Sequence, residues 1–271
     1  MSLNLGIIAS SRGTAAPPSA LLLDTYPGAA AAYSLRKLRT AYTGNCIQVR
    51  RSSDGALLDI GFVNNVLDTT TLQTFIGSSS GLLITWYDQS GNGNNAITNN
   101  INTSPEIIQS GILVTDGGKV AIVGGAQWMN FSGITANSNY AGFSVMSRTS
   151  PTGFMMSFVS SFVPVISLAY SNGFLYNNNG VQNIQYSFNL TGRFLFSTLN
   201  ISNIQSAYRN NALQTSTSSA FSGSNIFNQL LGRSSTEAFQ GKTQEHIFYN
   251  INQASNNIGI NTNINSFYSI Y

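Results

Sequence analysis

The chain has 271 residues, 42% of them hydrophobic and only 8% charged, with a formal net charge of +3. An average globular protein carries roughly 25% charged residues, so the polar surface here must be built mainly from Asn, Ser, Thr and Gln. The composition supports a hydrophobic core and excludes a disordered chain, and the basic residues are too dispersed for a phosphate-binding stripe. No nucleic-acid partner is expected. A single cysteine, Cys46, excludes an intrachain disulfide framework.

Residues 1–23 read as an extended arm, with Pro17 and Pro18 favouring open backbone. The start, MSLNLGIIASSRG, has no basic n-region and too short an apolar run for a signal peptide. The remainder, 24–271, reads as one domain, in which 24–80 form a lead and 81–271 the sandwich core. In the lead, AAAYSLRKLRTAY at 30–42 has Ala31, Leu35, Leu38 and Tyr42 at helical spacing, which predicts a helix. CIQVRRSSDGALLDIGF predicts a hairpin turning at Asp54-Gly55, with Ile47 opposite Phe62, Val49 opposite Ile60 and Arg50 opposite Asp59. Asp68 then caps a short helix that turns Leu72, Phe75 and Ile76 inward and stops at Gly77.

GLLITWY at 81–87 is the next predicted strand, and YDQSGNGNN follows it. From 112 to 250 short apolar runs alternate with Gly, Asn and Ser clusters, the pattern of a β-sandwich. The most apolar stretch, 153–170, is broken by serines and Pro164 and predicts two strands with no membrane insertion. The tail places Ile260, Ile264, Phe267 and Tyr271 on one helical stripe.

The segments WYDQSGNGNNA, GKVAIVGGAQWMNFSG and FQGKTQEHIFYN resemble the concanavalin A-like, laminin-G-like jelly-roll domains. The upstream block YSLRKLRTAYTGNCIQVRRSSDGALLDIGF is similar to the start of the alpha-L-arabinofuranosidase B catalytic domain, itself such a sandwich. The combination with LLLDTYPGAAAAYSLRKL and NINSFYSIY also resembles proteins carried by bacteriophages. The resemblance implies a mainly β fold, a jelly-roll sandwich with a few short peripheral helices.

Three chemistries compete for the Asp88 loop. Asp88, Ser90, Asn92 and Gly93 stand at EF-hand-like spacing, but Asn99 at the closing position cannot supply a bidentate carboxylate. Glycoside hydrolysis needs two carboxyl groups, and no Asp or Glu occurs between Asp116 and Glu237. The arabinofuranosidase resemblance implies a Glu nucleophile, an Asp acid and adjacent bonded cysteines in the later part of the chain. Here GFLYNNNG stands roughly where the Glu-containing strand is expected, and no cysteine follows Cys46. The third reading is structural: Asp88, Ser90, Gly91, Asn92 and Gly93 bond their own backbone and hold a turn. We take that one, and expect no metal and no cofactor. His246, the only histidine, lies opposite in face to Glu245 on a predicted strand, so the two cannot act together.

A jelly roll without catalytic acids leads to the expectation of a non-catalytic bacteriophage virion surface protein, a head decoration, fibre or tail adhesin. Made in the bacterial cytoplasm and placed on the virion surface, it would contact other virion proteins through the arm. It would assemble as a homo-oligomer, in the usual geometry a trimer. Neutral amides and aromatic faces suit sugars, which nominates Trp128, Tyr140, Tyr176, Asn177, Asn178 and Asn179 for glycan binding. The alternatives are an architectural capsid or tail subunit without ligand, and a divergent arabinofuranosidase-like hydrolase dependent on Asp88 or Glu245.

Overall fold

The computed structural model describes residues 20–98, 100–101, 104–124, 128–136, 138–148, 192–218, 225–232 and 239–271. To these it adds the backbone of the strand segments 158–159, 165–169, 175–178 and 183–186. The expected arm, apart from residues 20–23, lies outside the described residues. The fold is mainly β, a jelly-roll sandwich with a few short helices.

Its central strand is Gly241–Tyr249, antiparallel to Ala31–Ser34 and Ile122–Val123 on one side and to Tyr140–Arg148 on the other. That sheet continues through Arg193–Ile201, Ile204–Arg209 and Ala212–Ser218. The facing sheet runs from Leu57–Ile60 through Ile47–Arg51, Gly81–Trp86, Ala96–Thr98 and Met129–Ala136 to Asn225–Leu230. Glu106–Gln109 pairs with Gly81–Trp86 and with Ile122–Val123, and so turns the corner between the two layers.

Alternation along the central strand builds two cores. Phe248 faces the sandwich interior, where its ring centroid lies 5.3 Å from Phe227 and 6.0 Å from Tyr140. Tyr33 and Trp86 meet across the layers at 6.0 Å. Ile247 and Tyr249 face the other way, onto Leu22, Ile260, Ile264 and Tyr268. The sheet is therefore covered on its outer face by helix Asn257–Tyr268 and the short helix Leu22–Thr25.

Opposite Gln244 the ladder shifts register, pairing Val145 with Glu245 and Met146 with Thr243. This extra residue brings Thr243 and His246 onto the same face.

Several local expectations hold and others are corrected. Asp68 caps helix Thr69–Ile76, accepting from Thr71 N at 3.0 Å, with Leu72 and Ile76 buried, Phe75 partly buried and Gly77 at φ 62°. The expected helix at 30–42 is instead strand Ala31–Ser34, all four residues buried. A helix would expose part of that run; a strand paired with Gly241–Tyr249 on one edge, closed by the Asp88 turn on the other and covered on both faces hides all of it. The hairpin exists, but its register is Ile47–Ile60, Gln48–Asp59, Val49–Leu58 and Arg50–Leu57. Arg50 therefore does not face Asp59; Arg51 instead pairs with Asp54 in the turn at 2.6 Å. In the tail helix the buried stripe is Asn257, Ile260, Asn261, Ile264 and Tyr268, while Tyr271 is exposed.

Candidate functional site

The Asp88 turn follows strand Gly81–Trp86 and docks onto residues 29–38. The Asp88 carboxylate, 3% exposed, is saturated. Oδ1 accepts from Ala32 N at 2.8 Å and Ser90 N at 2.9 Å, and Oδ2 from Ser90 Oγ at 2.7 Å and Asn94 N at 3.0 Å. Gln89, also buried, donates from Nε2 to Ser34 O and Arg36 O and accepts from Leu38 N. Gly91 and Gly93 sit at φ 95° and 75°, the left-handed backbone the turn requires. A carboxylate holding four donors has no lone pair left for a cation or a substrate proton. Among the described residues no group of three or more His, Cys, Asp or Glu could hold a metal ion. The turn clamps residues 29–38 onto the end of strand Gly81–Trp86.

Glu245 is fully buried and bidentate with Arg36, Oε2 to Nε at 2.8 Å and Oε1 to Nη2 at 3.0 Å. Ser34 Oγ donates to Oε2 at 2.7 Å, and the Tyr268 hydroxyl lies 3.2 Å from the same oxygen. Arg36 also donates to Asn263 Oδ1 and lies over the Phe267 ring. This ion pair ties the tail helix to the central strand and is closed to substrate. His246 points to the opposite face, as predicted, and meets Thr243 Oγ1 at 2.7 Å, Ser144 Oγ at 3.0 Å and the Trp86 ring.

Of the residues nominated for glycan binding, the structure describes the side chains of Tyr140 and Trp128. Tyr140 is 1% exposed, ringed by Phe227 and Phe248, and its hydroxyl accepts from Gln205 Nε2. It is a core residue, because strand Tyr140–Arg148 lies between two other strands with both faces covered. Trp128 is half-buried and donates from Nε1 to Asn130 Oδ1. The backbone of Tyr176, Asn177 and Asn178 forms strand Leu175–Asn178, while their side chains and Asn179 lie outside the described residues.

Accounting for acids by their partners isolates two. Asp24 holds Thr40, Asp54 holds Arg51, Asp59 accepts from Tyr87 and Asp68 caps its helix; Asp88 and Glu245 are engaged as above. Among the described residues, that leaves Glu106 and Asp116 with no donor on the carboxyl group, and Asp116 Oδ2 is a buried atom without a partner. Asp116 stands in a small hairpin, Thr115–Asp116 against Lys119–Val120, fastened through its carbonyls. Arg193 Nη1 donates to Asp116 O at 2.9 Å, Gln244 Nε2 to Asp116 O at 3.1 Å and Val120 O at 3.0 Å, and Lys242 Nζ to Thr115 O at 2.8 Å. Glu106 lies across the ladder from Val123, which pairs in turn with Lys242. Both acids thus sit near the start of the central strand. Beside the hairpin opens a cleft of about 230 Å³ lined by Leu35, Thr69, Lys119, Phe267 and Tyr268. Sequence reading missed this pair because the partners that occupy the other acids lie far away in the chain.

Comparison with known proteins gives a consistent direction. The family described as "Alpha-L-arabinofuranosidase B, catalytic" matches residues 23–129. The chain is 40% identical over 93 residues to a probable alpha-L-arabinofuranosidase B of Aspergillus flavus, covering 33% of this chain and 18% of that protein. To the alpha-L-arabinofuranosidase B of Penicillium canescens it is 39% identical over 93 residues, 33% of this chain and 20% of the relative. The chain therefore spans about a fifth of the length of these curated relatives.

Among solved structures, an arabinofuranosidase complexed with arabinofuranosyl-alpha-1,2-xylobiose superposes with TM-score 0.66 at 16% identity. That superposition covers 90% of this chain and 64% of that one. A GH54 alpha-L-arabinofuranosidase soaked with a cyclic sulfate inhibitor gives TM-score 0.67 at 14% identity, with the same coverage. This likeness establishes the fold. The sequence relatives are fungal arabinofuranosidases, which overturns the expectations of a bacteriophage protein, of a non-enzyme and of a virion-surface location. The scarcity of acids misled that reading, since a hydrolase needs only two.

Proposed function

We propose that the chain is an arabinofuranosidase-like glycoside hydrolase domain that cleaves arabinofuranosyl linkages. The observation that carries the reading is a coincidence of position. The stretch similar to the arabinofuranosidase B catalytic family, 23–129, contains the two described acids whose carboxyl groups are unengaged, Glu106 and Asp116, which are not the later-placed pair that the resemblance by itself implies. Glycoside hydrolysis takes two carboxyl groups flanking the scissile bond: one protonates the leaving oxygen, and the other attacks the anomeric carbon or activates water. Glu237, outside the described residues, is the remaining acid of the chain that no described bond commits.

The test is turnover of an aryl alpha-L-arabinofuranoside by the purified chain and by Glu106→Gln, Asp116→Asn and Glu237→Gln. Measurable turnover is expected, falling by about 10²–10⁴-fold in the variants that lose the acid pair. A folded protein without turnover overturns the reading. Turnover unchanged in all three variants overturns the assignment of these acids.

A further inference from the structure

At the far end of the central strand lies a larger opening of about 570 Å³, lined by Gly28, Ala29, Ala30, Ser90, Asn92, Asn94, Gly133, Ile134, Thr135 and Asn250. Asn250 and Gln244, which fastens the Asp116 hairpin, are six residues apart along this strand, about 20 Å at a strand's rise per residue. The opening is therefore separate from the cleft beside Asp116. Its lining carries no charged residue, and its polar groups are hydroxyls, amides and backbone.

Two of those amides are fixed in orientation. Asn92 Nδ2 donates to Ala29 O at 2.9 Å and Ala30 O at 3.2 Å, and Asn94 Nδ2 donates to Ala30 O at 2.9 Å. Each amide nitrogen is thereby turned to the protein, and among the described residues no donor reaches either Oδ1. The Asp88 carboxylate holds the same turn from beneath through Asn94 N and Ser90 N. Opposite, strand Met129–Ala136 shifts register between Asn130 and Ile134, and Gly133 takes φ 103°. That bulge shapes the facing wall and leaves Thr135 exposed.

We propose that this cleft is a binding subsite for a neutral oligosaccharide. Two preset acceptor oxygens, the Thr135 hydroxyl and the Asn250 amide suit ligand hydroxyls. Because the acceptors are already oriented, little freedom is lost on binding. An anion would find no counter-charge, and an apolar ligand would strand the amides. The site is independent of the hydrolase reading: it binds a sugar chain whether or not the acids at the other end cleave one.

The experiment titrates the full chain with xylohexaose, cellohexaose and a linear arabino-oligosaccharide, by calorimetry and by amide chemical shifts, at low and high salt. At least one series is expected to bind equally at both salt concentrations, with shifts confined to 28–30, 90–94, 133–135 and 250. Thr135→Trp, which fills the cleft, and Asn250→Ala are each expected to weaken binding by at least about tenfold with an unchanged unfolding midpoint. No binding at millimolar oligosaccharide, binding abolished by salt, or binding retained in both variants overturns the proposal. Arabinofuranoside turnover measured on the unmodified chain separates the two readings: its absence refutes the hydrolase and leaves this subsite standing, and the reverse holds equally.

Discussion

His246 gives the chain a pH dependence that can be calculated from its surroundings. Thr243 Oγ1 donates its proton to Val145 O at 3.0 Å, so at 2.7 Å from His246 Nε2 it can only accept. Nε2 therefore carries the ring hydrogen, and Nδ1 accepts from Ser144 Oγ at 3.0 Å. The ring is neutral, and burial lowers its pKa to about 3.

In the unfolded chain the same ring titrates near its ordinary value of about 6.5. Between those values the unfolded state binds the extra proton, so stability rises with pH there. The contribution is complete above about pH 6.5 and is lost as pH falls. At pH 5 the loss is about 1.5 pH units at 1.36 kcal/mol each, or about 2 kcal/mol.

His246 is the only histidine of the chain, and the carboxylates titrate mainly below this window. Urea unfolding of the wild type and His246→Gln at pH 8, 7, 6 and 5 isolates the effect. The wild type is expected to lose about 2 kcal/mol between pH 8 and 5, and the variant to stay nearly flat. Parallel loss in both proteins would refute the deduced neutral ring.

Other substitutions test the remaining networks. Asp88→Ala strands the amides of Ala32, Ser90 and Asn94 and should cost about 2–5 kcal/mol in urea unfolding, while added calcium should leave the wild-type midpoint unchanged. Arg36→Met leaves Glu245 as an unpaired buried charge and should cost about 3–5 kcal/mol, most of it recovered by adding Glu245→Leu. Gly241→Ala puts a Cβ 2.2 Å from Ser147 O on the neighbouring strand, so soluble folded protein should fall sharply in an expression and thermal-unfolding assay. Tyr140→Ala should cost about 3–5 kcal/mol by opening a cavity beside Phe227 and Phe248, detectable as a lowered unfolding midpoint.

The parts of the fold legible in the sequence are those whose partners are close in the chain. Asp68 and Gly77 bracket a helix of eight residues, and the cap bond spans three positions, so its signal is local. The same holds for Asp54-Gly55 as a turn, although its register was not legible. Alternation along CIQVRRSS fits more than one pairing, and Arg51 rather than Arg50 takes the turn carboxylate. AAAYS misled for a different reason. Alanine favours helices intrinsically, but small residues here let strand Ala31–Ser34 fit between a sheet neighbour and the Asp88 turn. Tertiary burial overrode propensity.

The site was less legible still, because a carboxylate's availability depends on donors the chain brings from afar. Asp88 is filled by Ala32, 56 residues earlier, and Glu245 by Arg36, 209 residues earlier. Read in sequence, both stood among the chemically eligible acids, whereas Glu106 and Asp116 carried no motif to single them out. Folding reverses the ranking: the acids in the most conspicuous sequence contexts are spent on the frame, and the two in plain strand segments keep their oxygens. In a chain with only nine acids, such elimination by partner narrows the field to a number that single substitutions can exhaust. A hydrolase that survived the loss of Glu106, Asp116 and Glu237 in turn would have to recruit an acid now holding Thr40, Arg51, Tyr87, a helix cap, the Asp88 turn or Arg36. Each of those would betray itself by an activity loss coupled to a stability loss, which Glu106 and Asp116 should not show.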